Sequence, residues 1–472
     1  MGTCICPIDA QFSDQVAALL TPPTLPQVQA GNKLLQEYFE ALVAERQCSG
    51  FKVKPDGQHG KGVYSEVDFQ EDDLVLKDEM LVGAQHSSNK IDCLVCSFCF
   101  RFIGSIELQI GRKLYLQELG VSAVDECGSS DGIGCSTSSE KTRIPQDAIQ
   151  SLMNSSLRLP YSENFPLPSV VPCLGGCKEA YYCRSAAYSN IQYINRKSSF
   201  LCLHHVLCFL RGKDLCYLKI DIVGVTILEV ISFTILRYRK LKAAHVQREG
   251  KHDSSNQFDG CIFPLLLEAW KPVSMGFKRR WWECIALPED VDSSEEVEFR
   301  MQIKDLAFES LQLLKEAIYE KECAPLFSLD IYGHIIGMFE LNNLDLVVAS
   351  PVEDYFLYID DLPLSQKKEA EKLTKPFLDA LGDDYSISCQ GTAFFPLQSC
   401  MNHSCIPNAK AFKREEDKDG QATIVALRPI FKGEEIIYLT YIDEDLPYDE
   451  RQELLADYGF RCKCPRCVEE EP

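Results

Sequence analysis

The sequence has no excess of positive charge. Its 48 Lys and Arg stand against 70 Asp and Glu, a net charge of −22. A chain this acidic does not grip a nucleic-acid backbone with its whole surface, so no sequence-specific nucleic-acid binding is expected and a basic partner is. No apolar run of membrane-spanning length is present either. A span needs roughly 20 predominantly apolar residues. The most apolar stretch, Phe200 to Leu236, is broken by Arg211, Lys213, Asp214, Lys219, Asp221 and Glu229. Buried secondary structure is expected there, and no membrane association. The start, Met1-Gly-Thr-Cys-Ile-Cys-Pro, lacks a basic region followed by an apolar stretch, so no secretory signal and reducing surroundings are expected. There is no internal repeat. At 46% hydrophobic and 25% charged residues, the composition excludes a disordered, collagen-like or coiled-coil chain.

What the chain does have is 23 cysteines in 472 residues. Clustered thiols in a large chain under reducing conditions point to metal rather than disulfides. Zinc takes four ligands in a tetrahedron, and a Cys-x2-Cys loop supplies two from one knuckle. Cys462, Cys464 and Cys467 supply three and need a fourth from elsewhere. Cys93 and Cys96 with Cys173 and Cys177 make a second expected zinc site, with Cys99 an extra thiol nearby and Cys183 close to the second pair. Cys202, Cys208 and Cys216 fall in the apolar stretch. Isolated cysteines such as Cys284, Cys323 and Cys389 are expected as small core residues or free thiols.

Apolar spacing predicts helices over Lys33 to Arg46, residues 297–320, Ser365 to Leu381 and 449–458. Strands are expected at Phe51 to Lys54, after the Gly-rich turn His59-Gly-Lys-Gly-Val-Tyr, at Asp73 to Lys77, at Ala422 to Leu427 and after Gly433. Leu326 to Ser350 reads as a short helix mixed with strands.

Three separated pieces carry a family resemblance: His59-Gly-Lys-Gly-Val-Tyr, Met401-Asn-His-Ser-Cys-Ile-Pro-Asn, and Gly433-Glu-Glu-Ile-Ile-Tyr-Leu-Thr-Tyr. They resemble the core motifs of SET-domain lysine methyltransferases, and Cys462-Lys-Cys-Pro-Arg-Cys resembles the post-SET zinc element. The large insert after the first motif is similar to the subfamily split by a MYND-type zinc module, and within it to plant trithorax-related histone methyltransferases. The fold this implies is mainly β with α. A SET-type β-clip core with a pseudoknot is split by a zinc-binding insert and a helical SET-I region, and closed by a post-SET zinc element. The corresponding segments are 1–49, a Pro-rich and helical extension; 50–86, the first part of the core; 87–236, the MYND-like insert; 237–385, SET-I; 386–445, the second part of the core; and 446–472, post-SET.

The resemblance implies methyl transfer from S-adenosyl-L-methionine to a lysine of a histone tail or nucleosome, in the nucleus, with lysines 4 and 36 as the family's suggestion. It assigns Tyr441 to hold the lysine amine, with Tyr458 walling its channel and Phe460 stacking on adenine. Gly60, Lys61, Gly62 and Tyr64 approach the cofactor, with Lys61 facing its carboxylate. Asn402 and His403 meet adenine and ribose, and Asn342, or equally Asn343, contacts the cofactor from SET-I. Tyr438 is expected in the core. Cys405 becomes the fourth ligand of the C-terminal trio. The pattern breaks in the insert, where Ala187 stands at an expected cysteine and His204-x3-Cys208 comes late. Either a longer loop restores the second zinc, or residues 184–236 replace the ordinary sequence through a splicing or gene-model error. A rival function keeps the core as an inert or cofactor-binding scaffold whose insert recruits transcription factors or Pro-rich peptides.

Overall fold

The structure, a computed structural model, describes residues 6–21, 29–46, 48–56, 60–86, 88–120, 143–172, 180–183, 220–249, 262–276, 279–288, 291–292, 294–439, 442–443 and 445–472. Twelve strands appear among them: β1 (Phe51–Asp56), β2 (Gly60–Ser65), β3 (Leu74–Asp78), β4 (Val82–Gln85), β5 (Val171–Pro172), β6 (Tyr181–Tyr182), β7 (Asn343–Val348), β8 (Cys389–Phe394), β9 (Asn402–His403), β10 (Ala409–Ala411), β11 (Ala422–Ala426) and β12 (Glu435–Tyr438). The main sheet runs β1-β2-β12-β10-β11-β3, with β9 also paired to β12. A second sheet runs β4-β8-β7, and β5 and β6 form a small third. Strands on either side of the long insert therefore share both larger sheets. The shared sheets fit the split β core that the resemblance implies, but helices contribute more residues than strands, so the expected mainly β character is not observed.

The crossing at β12 organises the molecule. Tyr438 pairs in parallel with His403 of β9 and with Ala409 of β10. One residue has two edges, so the chain runs along one side of β12, crosses it through residues 404–408, and returns along the other. This is the pseudoknot. Asn408, fully buried in the crossing, holds it shut. Its Nδ2 donates to the Glu435 carbonyl at 2.7 Å, and its Oδ1 accepts from the Ile437 amide at 2.9 Å.

The largest core lies among the helices Ile220–Glu249, Ile262–Ser274, Glu296–Ile318 and Leu329–Asn342, against Val82 and Ala84 of β4. Ser328 starts the last of these, its Oγ accepting from the Ile331 amide at 3.2 Å in place of a missing intrahelical bond. The Ile220–Glu249 helix bears on the suspected error in residues 184–236. Its Ile227, Leu228, Val230, Ile231 and Ile235 are all buried in this core. Glu229, one of the charges that break the apolar stretch, accepts from the Gly83 amide of β4 at 3.1 Å. From residue 220 onward the segment is built into the fold, and residues 184–219 lie outside the described residues. Among the described residues no helix is long and apolar enough to cross a membrane.

Candidate active site

The motif Gly433-Glu434-Glu435 has three separate local functions. Gly433 takes a left-handed φ of 90°, which glycine reaches without a Cβ penalty. Glu434 accepts from the Phe431 amide at 3.0 Å and steadies the turn into β12. Glu435 reaches the Asn402–His403 loop, where its Oε1 accepts from Asn402 Nδ2 at 2.7 Å. The same Nδ2 donates to the Lys61 carbonyl at 3.0 Å, so the Asn402 amide ties the Gly-rich turn to β12. Gly62 makes room for this knot, since a methyl group there would lie 2.6 Å from Glu435 Oε1 and 3.2 Å from Asn402 Nδ2.

His403 is half-buried, with Nε2 at 3.4 Å from Cys405 Sγ and its ring 5.5 Å from that of Phe460. Tyr458 ends the Tyr448–Asp457 helix, and Gly459, at φ 84°, turns the chain so that Phe460 follows on the His403 side. Burial, reinforced by Tyr438 and the carboxylates of Asp457, Glu340 and Asp345, pushes the Tyr458 hydroxyl up to about 12. It stays protonated and able to donate. Tyr438 is packed beside the core of the main sheet, and burial raises its hydroxyl too.

Other sequence-assigned residues are occupied differently. Lys61 does not stand free for a carboxylate: its ammonium donates to the Met275 carbonyl and lies 5.6 Å from the centre of the Phe39 ring. Tyr64 pairs with Glu435 across the sheet, with Lys54 Nζ 5.2 Å above its ring. Asn342 ends its helix and donates to the Met338 carbonyl at 2.9 Å, while Asn343 opens β7 opposite Phe394. Tyr441 lies outside the described residues, between Leu439 and Ile442, which are described.

The structure brings together Cys405, Cys462, Cys464 and Cys467, whose sulfurs all lie within 4.8 Å of one another. A tetrahedron with metal–sulfur bonds of about 2.3 Å has edges of about 3.8 Å, so the set fits zinc in size and donor chemistry. Gln452 fixes the strand of ligands through both ends of its amide, donating to the Cys462 carbonyl at 3.2 Å and accepting from the Cys462 amide at 3.1 Å. A second group joins Cys96, Cys99 and Cys183, with Cys99 and Cys183 sulfurs 3.7 Å apart. Cys93 is not among them. Its thiol points to the Ile387 carbonyl at 3.5 Å, in an apolar cluster with Cys389. Cys173 and Cys177 lie outside the described residues.

Sequence reasoning missed Glu435, Asn408 and Gln452 as the residues that hold this site together. The first two stand inside the quoted motifs. Gln452 carries no signal beyond its position on a short amphipathic helix.

Comparison with known proteins agrees with this geometry. The SET domain profile matches residues 289–441. Histone-lysine N-methyltransferase ATXR2 of Arabidopsis thaliana is 57% identical over 487 aligned positions, covering 98% of both chains. Protein-lysine N-trimethyltransferase SMYD5 of Mus musculus is 31% identical over 34% of this chain and 39% of its own. Histone-lysine N-methyltransferase set5 of Schizosaccharomyces pombe is 44% identical over 16% of this chain and 24% of its own. With the crossing at β12, the Asn402–His403 loop and near full-length likeness to ATXR2, the chain belongs to the SET-domain family of protein-lysine methyltransferases.

Proposed function

We propose that this enzyme methylates a histone-tail lysine in the nucleus, using S-adenosylmethionine and zinc-stapled ends of its SET core. The observation that carries the reading is the convergence on β12. The Asn402–His403 loop, the Tyr458–Phe460 turn and the four-thiol group meet at the crossing beside β12. The near full-length relative is named for histone-lysine methylation, which supports the substrate class. The net charge of −22 suits a basic tail.

The cofactor would supply an electrophilic methyl group. The exposed face of Phe460 and the His403 ring beside it suit an adenine, and the Asn402 knot would hold their loop rigid. Tyr441 would fix the lysine nitrogen in line for attack, with the protonated Tyr458 hydroxyl beside the channel. Such alignment can supply on the order of 7–11 kcal/mol of the barrier. The amine must be neutral, and an aromatic, water-poor channel favours loss of its proton. Cys405, Cys462, Cys464 and Cys467 would hold one zinc. Cys96, Cys99 and Cys183 would hold another, with Cys173 or Cys177 as the fourth ligand.

Incubation with a labelled methyl donor and nucleosomes tests the reading. Label is expected in a histone band, Tyr441→Phe is expected to lose at least tenfold in turnover, and mass spectrometry would name the lysine and the number of methyls. Absence of label in every histone, or full activity of Tyr441→Phe, would count against it.

A further inference from the structure

Arg451 is fully buried beside the four-thiol group, and no assignment above gives it work. Its Nη2 lies 3.7 Å from Cys467 Sγ and 2.5 Å from Glu470 Oε2, and its Nη1 donates to the Leu446 carbonyl. Its Nε, also buried, has no partner among the described residues. A guanidinium cannot shed its proton in a protein, so its charge is permanent and must be answered where it is buried. Glu470 answers it only in part. That carboxylate is 38% exposed and is shared with Arg466, whose Nε donates to its other oxygen at 2.8 Å. The remaining charge faces sulfur. Four neutral thiols would not balance it. Four thiolates around one divalent ion carry two excess negative charges, and these would.

We propose that Arg451 is the counter-charge of the four-thiolate metal centre and sets how tightly that centre holds its ion. This rests on reading the centre as a zinc site. Arg451 and Leu455 stand one helical turn apart on the inward face of the Tyr448–Asp457 helix. The helix that ends at Tyr458 therefore also carries the residue that balances the metal. Arginine suits the position because its guanidinium is weakly hydrated and can hold Leu446, Glu470 and Cys467 with separate donors. Partners outside a metal's ligand shell commonly change affinity by 10–100-fold when removed.

The test uses the full chain, with zinc per protein measured after dialysis and zinc release followed with a chromophoric chelator. The zinc lost in Cys464→Ala defines the share held by this centre. If wild type and Cys464→Ala carry equal zinc, the zinc reading itself fails. If wild type holds zinc there, Arg451→Gln is expected to weaken it 10–100-fold, whereas Arg451→Lys, which keeps the charge, retains most of it. Equal affinity in wild type and Arg451→Gln would overturn the proposal, as would equal losses in the Gln and Lys variants. Should Arg451→Gln fail to fold, Glu470→Gln decides. Freeing the guanidinium from its carboxylate is expected to slow zinc release, and unchanged or faster release overturns the proposal.

Discussion

Asn408 and Ile437 are joined by two hydrogen bonds across 29 residues of sequence: the Asn408 amide donates to the Ile437 carbonyl at 3.2 Å, and the Ile437 amide donates to Asn408 Oδ1 at 2.9 Å. A side chain here does what a neighbouring strand would do elsewhere. It satisfies backbone groups of β12 at the point where the crossing interrupts regular pairing. Asn408→Ala would leave the Ile437 amide and the Glu435 carbonyl without partners in the core. Each such orphan costs roughly 1–3 kcal/mol, so a loss of about 3 kcal/mol is expected by denaturant titration. A change within experimental error would mean that contacts other than the Asn408 side chain hold the crossing.

Gly62→Ala separates binding from folding. The added methyl meets Glu435 Oε1 at 2.6 Å, and that carboxylate is the acceptor that fixes Asn402. A flexible carboxylate can move aside, so the fold is expected to survive while the Asn402 loop shifts. Calorimetry should show cofactor affinity falling by about tenfold, the equivalent of one displaced hydrogen bond, with melting temperature nearly kept. Unaltered affinity would place the cofactor away from this loop.

Regular elements were readable because each buries one face. Helices at Glu296–Ile318, Leu364–Leu381 and Tyr448–Asp457 fall within two residues of the apolar pattern. Pairings between distant residues were not readable. Cys93–Cys96 and Cys96–Cys99 have the same spacing, so sequence alone gives no reason to prefer one knuckle. Tertiary packing decides, placing Cys93 among apolar residues beside Ile387 and Cys99 beside Cys183. Lys61 illustrates the same limit. A cation in a Gly-rich turn invites an anionic ligand, yet its partner is a carbonyl 214 residues away. The first part of the Ile220–Glu249 helix, as far as Leu236, looks foreign because it is nearly apolar all round, as a helix stretch surrounded by other elements requires; past Arg237 the helix is charged and largely exposed.

Cys464→Ala tests the link between the thiol group and the Asn402–His403 loop. Cys405 stands in the crossing two residues after His403, and the three thiols grouped with it follow Phe460, whose ring lies 5.5 Å from that of His403. Losing one ligand is expected to release zinc and to abolish cofactor binding together, because the same segment carries both. Structural zinc contributes apparent binding energies on the order of 10 kcal/mol in small modules, so partial retention is not expected. A variant that loses zinc and still binds cofactor in calorimetry would uncouple the two.

Gly337→Ala probes how tightly the Leu329–Asn342 helix is set against the segment before Trp281. A methyl group at Gly337 would lie 1.9 Å from the Arg279 carbonyl, a backbone atom that cannot swing away. The Arg279 guanidinium in turn lies against Gly459, between Tyr458 and Phe460. Pushing Arg279 outward should therefore disturb the aromatic turn as well as the helix. A loss of stability of several kcal/mol in denaturant titration, well beyond the usual ~1 kcal/mol of a point change, is expected, together with a fall in kcat/KM in whatever fraction remains folded. Normal melting with normal kinetics would show that the segment has room to move.

Asp78 gives the site a dependence on pH whose sign can be worked out. Its carboxyl is fully buried, and Oδ2 accepts from the Leu397 and Gln398 amides at 2.7 and 3.0 Å, just upstream of Asn402. Burial outweighs these bonds and the nearby Arg46, and pushes the group up from 3.8 to about 6. A carboxyl raised in the folded state binds more protons folded than unfolded between those values. Its contribution therefore grows as pH falls through about 6 toward 3.8, and is lost as pH rises above 6. The full span corresponds to about 3 kcal/mol. Asp78→Asn keeps an acceptor for the two amides and removes the titration. Melting temperatures of the two proteins should converge as pH falls from 7.5 to 5, with the variant gaining most, relative to wild type, at the higher pH. A constant difference across that range would show that Asp78 does not change its protonation there, and the loop before Asn402 would then be anchored by a permanent carboxylate.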